Sequence, residues 1–254
     1  MVKKILSIVL WVATAAGLVV LFIFAREDYL NQPLKSIKLV TETDTGFVRK
    51  GELREELRQI CGKSNIGTVN MIAIQNHLNN NPWIESNASY VDLDGTLNVS
   101  FKEYEPQFRV FGKNGHSVYV TGEGTVIPSS PLYTPYVLIA SGNFNLKSDS
   151  ASYHLNDTLD DDRNMLNALH WFKAIEGNSF IKNCVGQLYC NSRNQFELTV
   201  RGLEARVIVG DTCSAADKLK RLEIFMKQRI DSPETKTLKS INLNYKNQIV
   251  CTKR

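Results

Sequence analysis

The hydropathy pattern begins with an unbroken apolar stretch at residues 5–25, ILSIVLWVATAAGLVVLFIFA, which contains no charged residue. As a helix rising about 1.5 Å per residue it would be roughly 31 Å long, which matches the hydrocarbon core of a bilayer. A secretory signal peptide has a shorter apolar core, of about 7–15 residues. The pattern therefore predicts a retained transmembrane helix, with a short tail (1–4) before it and a polar linker (26–35) after it.

Basic residues stand on both sides of this stretch: Lys3 and Lys4 precede it, and Arg26, Lys35 and Lys38 follow it. Long domains cross a membrane largely regardless of such charges, whereas a short tail with two lysines stays in the cytoplasm. We therefore expect a single-pass protein with a cytoplasmic N-terminus and its C-terminal domains on the opposite side of the membrane.

Residues 36–104 combine strand and helix periodicities. Ser36–Val40 alternates apolar and polar residues, which is typical of a half-buried strand, and 51–60 carries apolar residues at helical spacing. Asn70 is a good N-cap for a second helix, and two further strands flank the turn dipeptide Asp94-Gly95. The order strand, helix, helix, strand, strand predicts a small α+β domain.

Residues 105–254 are expected to form a second domain, a mixed β domain with a C-terminal amphipathic helix and terminal edge strands. Its last two strands are predicted at 241–245 and 248–251, and its helices at 160–176 and from Ser214 onward. The apolar residues of the last helix recur at the spacing of one buried face: Ala215, Leu219, Leu222, Met226 and Ile230. The basic residues between them are expected on the solvent-exposed face: Lys218, Lys220, Arg221, Lys227 and Arg229.

Composition narrows the possible chemistry. The formal charge of the 254 residues is only +4 and forms no basic block, which argues against nucleic-acid binding. The five cysteines lack Cys-x-x-Cys spacing, so the alternatives are one bridge, such as Cys184 to Cys190, or buried free thiols. Asp160-Asp161-Asp162 stands at a predicted helix start, where acids favour the helix dipole, and is interpreted as a cap rather than a metal site.

Motifs of catalysis are missing from the sequence. It has no Gly-x-Ser-x-Gly elbow, no Ser-x-x-Lys motif and no third glycine after Gly122-x-Gly124. The histidines also lack metal-ligand spacing. We therefore predict that the protein is not an enzyme, and we assign it no catalytic, metal, cofactor-binding or small-molecule site.

Several short motifs follow the apolar stretch in a fixed order: Asn81-Pro-Trp-Ile84, Lys102-Glu-Tyr-Glu-Pro106, Val118-Tyr-Val-Thr-Gly-Glu-Gly-Thr-Val126, the strands and helix from Phe196 through Lys218-Leu-Lys-Arg221, and Ile241-Asn-Leu-Asn-Tyr245. Each motif alone is weak. Their order behind one apolar stretch resembles the FtsQ/DivIB family of cell-division proteins, in a Bacteroidetes-like form, and the resemblance covers nearly the whole chain.

The resemblance implies that residues 36–104 form a POTRA-like domain and that the protein is a non-enzymatic scaffold of the divisome. It further implies a location in the cell inner membrane at the septum, with the C-terminal domains in the periplasm. FtsB- and FtsL-like coiled-coil proteins are the implied partners, together with FtsK-, FtsW- and FtsI-like membrane proteins. An alternative reading is a POTRA-bearing envelope chaperone or translocation factor.

In the family the last strands form the docking edge for FtsB, which adds a strand to the sheet. Carried onto this chain, the resemblance implies partner-binding residues at Leu243, Asn244, Tyr245, Lys246, Ile249 and Val250. Tyr245 matches the position of the family's binding tyrosine, whereas Asn244 stands where the motif often has arginine. The alternative interpretation is that 241–245 is an ordinary strand with one buried face and has no part in partner binding.

Overall fold

The structure is a computed structural model that describes residues 2–43, 45–146, 151–157, 163–229 and 232–254. The chain forms two compact units. The first unit comprises Met1–Asp44 and Val48–Glu103, and the second comprises Thr45–Phe47 and Tyr104–Arg254. The structure is therefore a mixed α+β fold, as the hydrophobic pattern predicts.

The first element is a long apolar helix, α1 (Val2–Asn31). Within the described residues it is the one helix long and apolar enough to cross a membrane, over Val9–Asn31. Its side chains are exposed over 9–25, as expected for a lipid-facing helix. The helix continues to Asn31, so most of the segment predicted as a linker (26–35) is helical instead.

The first unit continues with five elements in the order that the sequence predicts. They are β1 (Ser36–Thr41), α2 (Lys50–Cys61), α3 (Met71–Asn79), β2 (Ile84–Val91) and β3 (Thr96–Glu103). The three strands form a sheet in the order β1-β3-β2, in which β1 runs parallel and β2 antiparallel to β3.

Local signals in the sequence set the ends of these helices. The Asn70 side chain accepts a hydrogen bond from Ala73 N (3.0 Å) and caps the start of α3. Gly62 follows α2 with φ of +55°, a backbone conformation that glycine adopts without steric cost. The buried faces of the helices and sheet form one core: Val48, Leu53, Leu57, Cys61, Ile74, Leu78, Ile84, Leu97, Val99 and Phe101.

The end of α1 is attached to the rest of this unit by direct contacts. Tyr29 Oη donates to the Asp92 carbonyl (3.1 Å), and Gly67 N donates to the Leu30 carbonyl (2.9 Å). Gly67 lies so close to the helix that an added Cβ would be 2.9 Å from Leu30 Cβ. Helix α1 is therefore packed against the unit and is not joined to it by a free tether.

The second unit contains a sheet of ten strands in the order β13-β12-β11-β10-β9-β7-β4-β5-β6-β8. Its strands are β4 (Pro106–Phe111), β5 (Ser117–Thr121), β6 (Thr125–Pro128), β7 (Leu138–Gly142), β8 (Tyr153–His154), β9 (Val185–Cys190), β10 (Phe196–Val200), β11 (Arg206–Gly210), β12 (Leu238–Asn242) and β13 (Val250–Lys253). Its helices are α4 (Arg163–Glu176), α5 (Ser179–Cys184), α6 (Ala215–Arg229) and α7 (Pro233–Lys236).

The cross-strand register places one row of buried apolar side chains across most of the sheet. From β5 to β12 the row is Val118, Val110, Ala140, Leu188, Leu198, Val207 and Ile241. The helices α4, α5 and α6 contribute to the same core, and Phe108 stacks on Phe172 with 3.8 Å between ring centroids. The next residue of the row is Cys251 on β13, which is exposed. The core therefore ends before the last strand.

The structure departs from the sequence prediction at several elements. The short helices α5 and α7 and the two-residue strand β8 were not predicted. The C-terminal strands are shifted, since β12 ends at Asn242 and β13 reaches Lys253. The Asp160-Asp161-Asp162 triplet and Ile230 lie outside the described residues.

We expect Gly67→Ala to destabilise the first unit because the added methyl group would press on the Leu30 side chain and carbonyl. A shift of about 1–3 kcal/mol in unfolding free energy is typical for overpacking of this kind. Gly51→Ala is the matched control, since it is in α2 with open space around its Cβ position. Thermal unfolding of the detergent-solubilised chain measures both, and equal stability of the two variants would contradict the tight contact.

Candidate functional site

The last strand, β13, is one of the two outer strands of the ten-stranded sheet, the other being β8. It pairs antiparallel with β12 on one side only, through registers such as Ile241 with Cys251. All four of its residues are exposed. An outer strand of this kind presents a row of backbone N–H and C=O groups that have no partner within the sheet.

The connection between β12 and β13 is held by one side chain of α6, that of Arg221. Its Nη1 atom donates to the Tyr245 and Gln248 carbonyls, both at 2.8 Å, and its Nη2 atom donates to the Leu243 carbonyl at 3.1 Å. Its Nε atom donates to Asp217 Oδ2 at 3.1 Å. One guanidinium, whose donors form a rigid fork, thus satisfies three carbonyls of an irregular segment.

The position of Arg221 follows from the helix geometry. Asp217 and Arg221 are separated by four residues and lie on one face of α6, where acid and base side chains meet. The Arg221 side chain is only 16% exposed, compared with 60% for Asp217. The prediction that Arg221 fills the solvent-exposed face of this helix is therefore wrong: its aliphatic part is covered, while its head group binds backbone oxygens.

Lys218 also departs from the predicted solvent-exposed face, since its side chain is only 6% exposed. Its Nζ atom donates to the carbonyls of Val209 (2.8 Å) and Asp211 (3.0 Å) and to Asp211 Oδ1 (2.8 Å). The hydrogen bond from Lys218 holds the pKa of the Asp211 carboxyl below its usual value. Lys218 thus fixes the connection from β11 to α6 as Arg221 fixes the one from β12 to β13.

Gly210 lets the two connections approach each other. Its φ is +67°, and a Cβ at this position would collide with the Asn244 side chain. Asn244 N in turn donates to Asn242 Oδ1 (3.0 Å), which orders the first residues after β12. The residue between them, Leu243, donates its N–H to the Ile208 carbonyl (2.9 Å) and continues the pairing with β11 beyond the strand.

A polar cleft of about 930 Å³ lies beside these connections. It is lined by the basic residues Arg193, Lys218, Arg221 and Lys246, by Asp211 and Asp217, and by small and amide residues between them. Because both signs of charge line the cleft, it offers no strong field for a ligand of one charge. Within the described ranges, no group of three His, Cys, Asp or Glu side chains could hold a metal ion.

The six residues assigned to partner binding fall into two groups. The side chains of Asn244, Tyr245, Lys246 and Val250 are exposed, with Tyr245 at 48% and Val250 at 39%. Leu243 is fully buried and Ile249 packs partly against the core. Only the first group offers side chains to a partner in this state, whereas the second anchors the segment from below.

The sequence interpretation missed Arg221, Thr252 and Lys253 as parts of this site. The helical pattern gave no signal for Arg221. In the sequence, an arginine whose head group binds backbone carbonyls looks the same as an arginine that is exposed to solvent. Thr252 is β-branched and directly follows the predicted strand, so its strand propensity could have extended that strand to within one residue of its observed end.

The cysteines do not alter this picture, because all five are free thiols. Cys61 and Cys190 are buried, and burial raises the pKa of the Cys190 thiol to about 11. Cys184 and Cys190 stand at opposite ends of β9 and its preceding helix turn, so the bridge considered between them is not formed. A protonated, buried thiol is a poor nucleophile.

Comparison with known protein families decides the relationship of the chain. The profile of the family described as FtsQ/DivIB, C-terminal related, matches residues 105–252, which is more than half of the chain. The chain belongs to this FtsQ/DivIB-related family. The match spans almost all of the second unit, from β4 to β13. None of the curated proteins matches the chain.

Membership of the FtsQ/DivIB-related family confirms the resemblance seen in the sequence and indicates a role in cell division. Proteins of this family are generally non-enzymatic and act through interactions within the divisome. The N-terminal apolar helix further indicates a single-pass membrane protein.

Arg221→Ala is expected to release the connection between β12 and β13, because three carbonyls lose their donor. Hydrogen bonds to a charged group contribute about 1.5–3 kcal/mol, so the free energy of unfolding should fall by about 2 kcal/mol. Amide hydrogen exchange should rise selectively at 243–253. Lys220→Ala, at an exposed neighbouring position, is the control, and equal exchange in both variants would show that Arg221 does not hold the segment.

The ion pair of Lys218 with Asp211 predicts a pH-dependent stability. Since the pKa of Asp211 is lowered on folding, its stabilising contribution is present above the ordinary value of 3.8 and is lost as the pH falls below it towards the folded pKa. Asp211→Asn should therefore be more destabilising at neutral pH than in acid. Denaturant unfolding at both pH values measures the loss of unfolding free energy caused by Asp211→Asn. This loss should be smaller in a Lys218→Met background.

Proposed function

We propose that this protein is a scaffold of the divisome that binds FtsB- and FtsL-like coiled-coil proteins through strand β13. The proposal is supported by one observation above all: β13 is an exposed outer strand whose position is fixed by Arg221. A partner segment would add as a further strand of the sheet. Its recruitment would then link early division proteins to FtsW- and FtsI-like synthases of septal peptidoglycan.

Strand addition suits this edge for two physical reasons. The backbone groups on the outer side of β13 supply directional hydrogen bonds without any change in the fold. The core row ends at Ile241, so the neighbouring Cys251 side chain is free to contact an added strand. On the opposite face of the sheet, Val250 is paired with Asn242, which is paired in turn with Ile208. The exposed Val250 side chain offers an apolar contact on that face.

The exposed side chains beside β13 would provide selectivity. Tyr245 combines an apolar ring with a hydroxyl group and is ordered by the hydrogen bond of its carbonyl to Arg221. Lys246 is exposed at the rim of the polar cleft and would attract an acidic partner. These residues, with Asn244 and Val250, form the proposed contact surface, while Leu243 and Ile249 support it.

The proposal also includes the arrangement of the whole chain. The first unit would serve as a POTRA-like domain, since its strand, helix, helix, strand, strand order and three-stranded sheet are compatible with one. The tail would be cytoplasmic, α1 would span the membrane, and the second unit with the rest of the first would be periplasmic, with the protein concentrated at the septum. A fluorescent fusion that remains evenly distributed in the membrane of dividing cells would contradict this location.

The test is a titration of the full chain in a nanodisc with the extracytoplasmic part of the organism's FtsB-like protein. Tyr245→Ala should raise the Kd by about tenfold, equivalent to about 1.4 kcal/mol, because a half-exposed aromatic anchor is lost. Tyr136→Ala is the matched control, as Tyr136 is a 94% exposed tyrosine of the same unit that lies before β7.

Proline substitutions test the strand addition itself. Successive N–H groups of a strand point to opposite sides of it. One of the two variants Val250→Pro and Cys251→Pro therefore removes a hydrogen bond to β12, whereas the other removes only a donor on the outer side of β13. The outward variant should keep the melting temperature of the parent and lose partner binding. Binding that survives in both proline variants would place the interface elsewhere.

A further inference from the structure

The membrane helix α1 continues beyond the apolar stretch by fewer than two turns. The apolar stretch ends at Ala25, and α1 ends at Asn31. At about 1.5 Å per residue, the Cα atom of Tyr29 is about 6 Å above that of Ala25 along the helix axis. The headgroup layer on each side of a bilayer is about 5–8 Å thick, so Tyr29 lies at headgroup level when α1 spans the membrane.

Two loops of the first unit contact the chain at this level. The β2–β3 turn accepts a hydrogen bond from Tyr29 Oη through the Asp92 carbonyl (3.1 Å). The connection from α2 to α3 packs on Leu30 through Gly67. Side chains of a helix lean towards its N-terminus, which favours a contact of Tyr29 with Asp92 on the membrane side of the Tyr29 Cα atom.

Further backbone contacts make this arrangement rigid. Directly after α1, Lys35 N donates to the Gly95 carbonyl (2.9 Å) and Pro33 forms a bridge with Asn65. The turn is itself ordered, because the Asp92 carboxylate accepts from Thr96 N (2.9 Å). The two loops therefore keep a fixed height above the membrane.

The exposed apolar side chains of this unit gather at the same end. Outside α1, the large apolar residues of its described part that are more than half exposed are Ile72 at 71%, Tyr90 at 60% and Leu93 at 85%. Leu93 is in the turn beside Asp92, Tyr90 is near the end of β2, and Ile72 is in the first turn of α3. Each stands near the loops that contact α1.

The charges at this end favour apolar insertion over attraction to headgroup charge. The basic residues around the contact are balanced by acidic residues on the same segments: Arg26, Lys35, Lys38 and Lys63 against Glu27, Asp28, Asp92 and Asp94. A balanced set of charges gives little net attraction to an anionic surface. Leucine, isoleucine and tyrosine, by contrast, are favoured at the boundary of headgroups and acyl chains.

We propose that the part of the first unit that follows α1 docks on the lipid surface, with Leu93, Ile72 and Tyr90 inserted into the membrane interface. The unit would thus lie directly on the bilayer and α1 would be only part of its membrane attachment. The inference rests on α1 spanning a membrane and goes beyond partner binding at β13, so either proposal can fail while the other holds.

Spin labels on the full chain in a phosphatidylcholine nanodisc test this docking. The exposed thiols of Cys213 and Cys251 and the half-buried thiol of Cys184 are first removed by Ser replacement, while the buried Cys61 and Cys190 remain. A nitroxide is then placed at Leu93→Cys and, separately, at Ile72→Cys. Collision of each label with oxygen, which concentrates in lipid, is compared with collision with a nickel chelate, which stays in water.

The matched control is Asn80→Cys in the same background, at an exposed position after the far end of α3. The strand β2 leads from that end to the turn and spans about 23 Å, so Asn80 should be well above the headgroups. We expect the oxygen-to-nickel ratio to be several-fold higher at 93 and 72 than at 80.

Equal ratios at the three positions would overturn the proposal, whether all labels were in water or all in lipid.

A second variant tests whether the contacts with α1 fix the height of the β2–β3 turn above the membrane. Gly67→Ala, which disturbs the contact with Leu30, should lower the ratio at 93 towards that at 80. An unchanged ratio would show that the loop contacts with α1 do not set the position of the turn. Circular dichroism of each labelled variant verifies that it is folded.

Discussion

The guanidinium of Arg221 is the contact on which the C-terminal edge depends. The segment between β12 and β13 has no regular structure of its own, and three of its carbonyls, including that of Tyr245, accept hydrogen bonds from this one side chain. Strand β13 is short, exposed and paired on one side, so its own ladder would hold it weakly. Because Arg221 is fixed in turn by Asp217, the order of the edge is set by helix α6.

The same helix organises a second connection with a second cation. Lys218 and Arg221 are separated by three residues and so lie on one face of α6, where one binds the end of β11 and the other the end of β12. Both donate to backbone carbonyls at or near the ends of strands. A buried cation costs desolvation, and several charge-assisted hydrogen bonds to each head group offset that cost.

The parts of this fold that follow from local pattern could be predicted, and those that follow from long-range pairing could not. Asn70 caps a helix and 196–200 is a strand because a few neighbouring residues decide each outcome. The parallel pairing of β11 with β12 depends on residues far apart in the chain. Arg221 was misplaced for a related reason: hydropathy counts arginine as solvent-exposed, whereas its partners are backbone oxygens that leave no trace in the sequence.

An exposed outer strand is a risk for a protein, since two copies can pair edge to edge. Here Lys246, which precedes β13, and Lys253, its last residue, place exposed positive charge towards both ends of the strand. Two copies aligned at this edge would bring like charges together, which disfavours self-pairing, whereas an acidic partner segment would meet no such repulsion. Arg221 binds carbonyls of the preceding connection and leaves the outward groups of β13 unoccupied. The hydrogen bonds of Arg221 therefore order the edge and leave the outer side of β13 open for pairing with a partner strand. The two lysines restrict which strands can pair there.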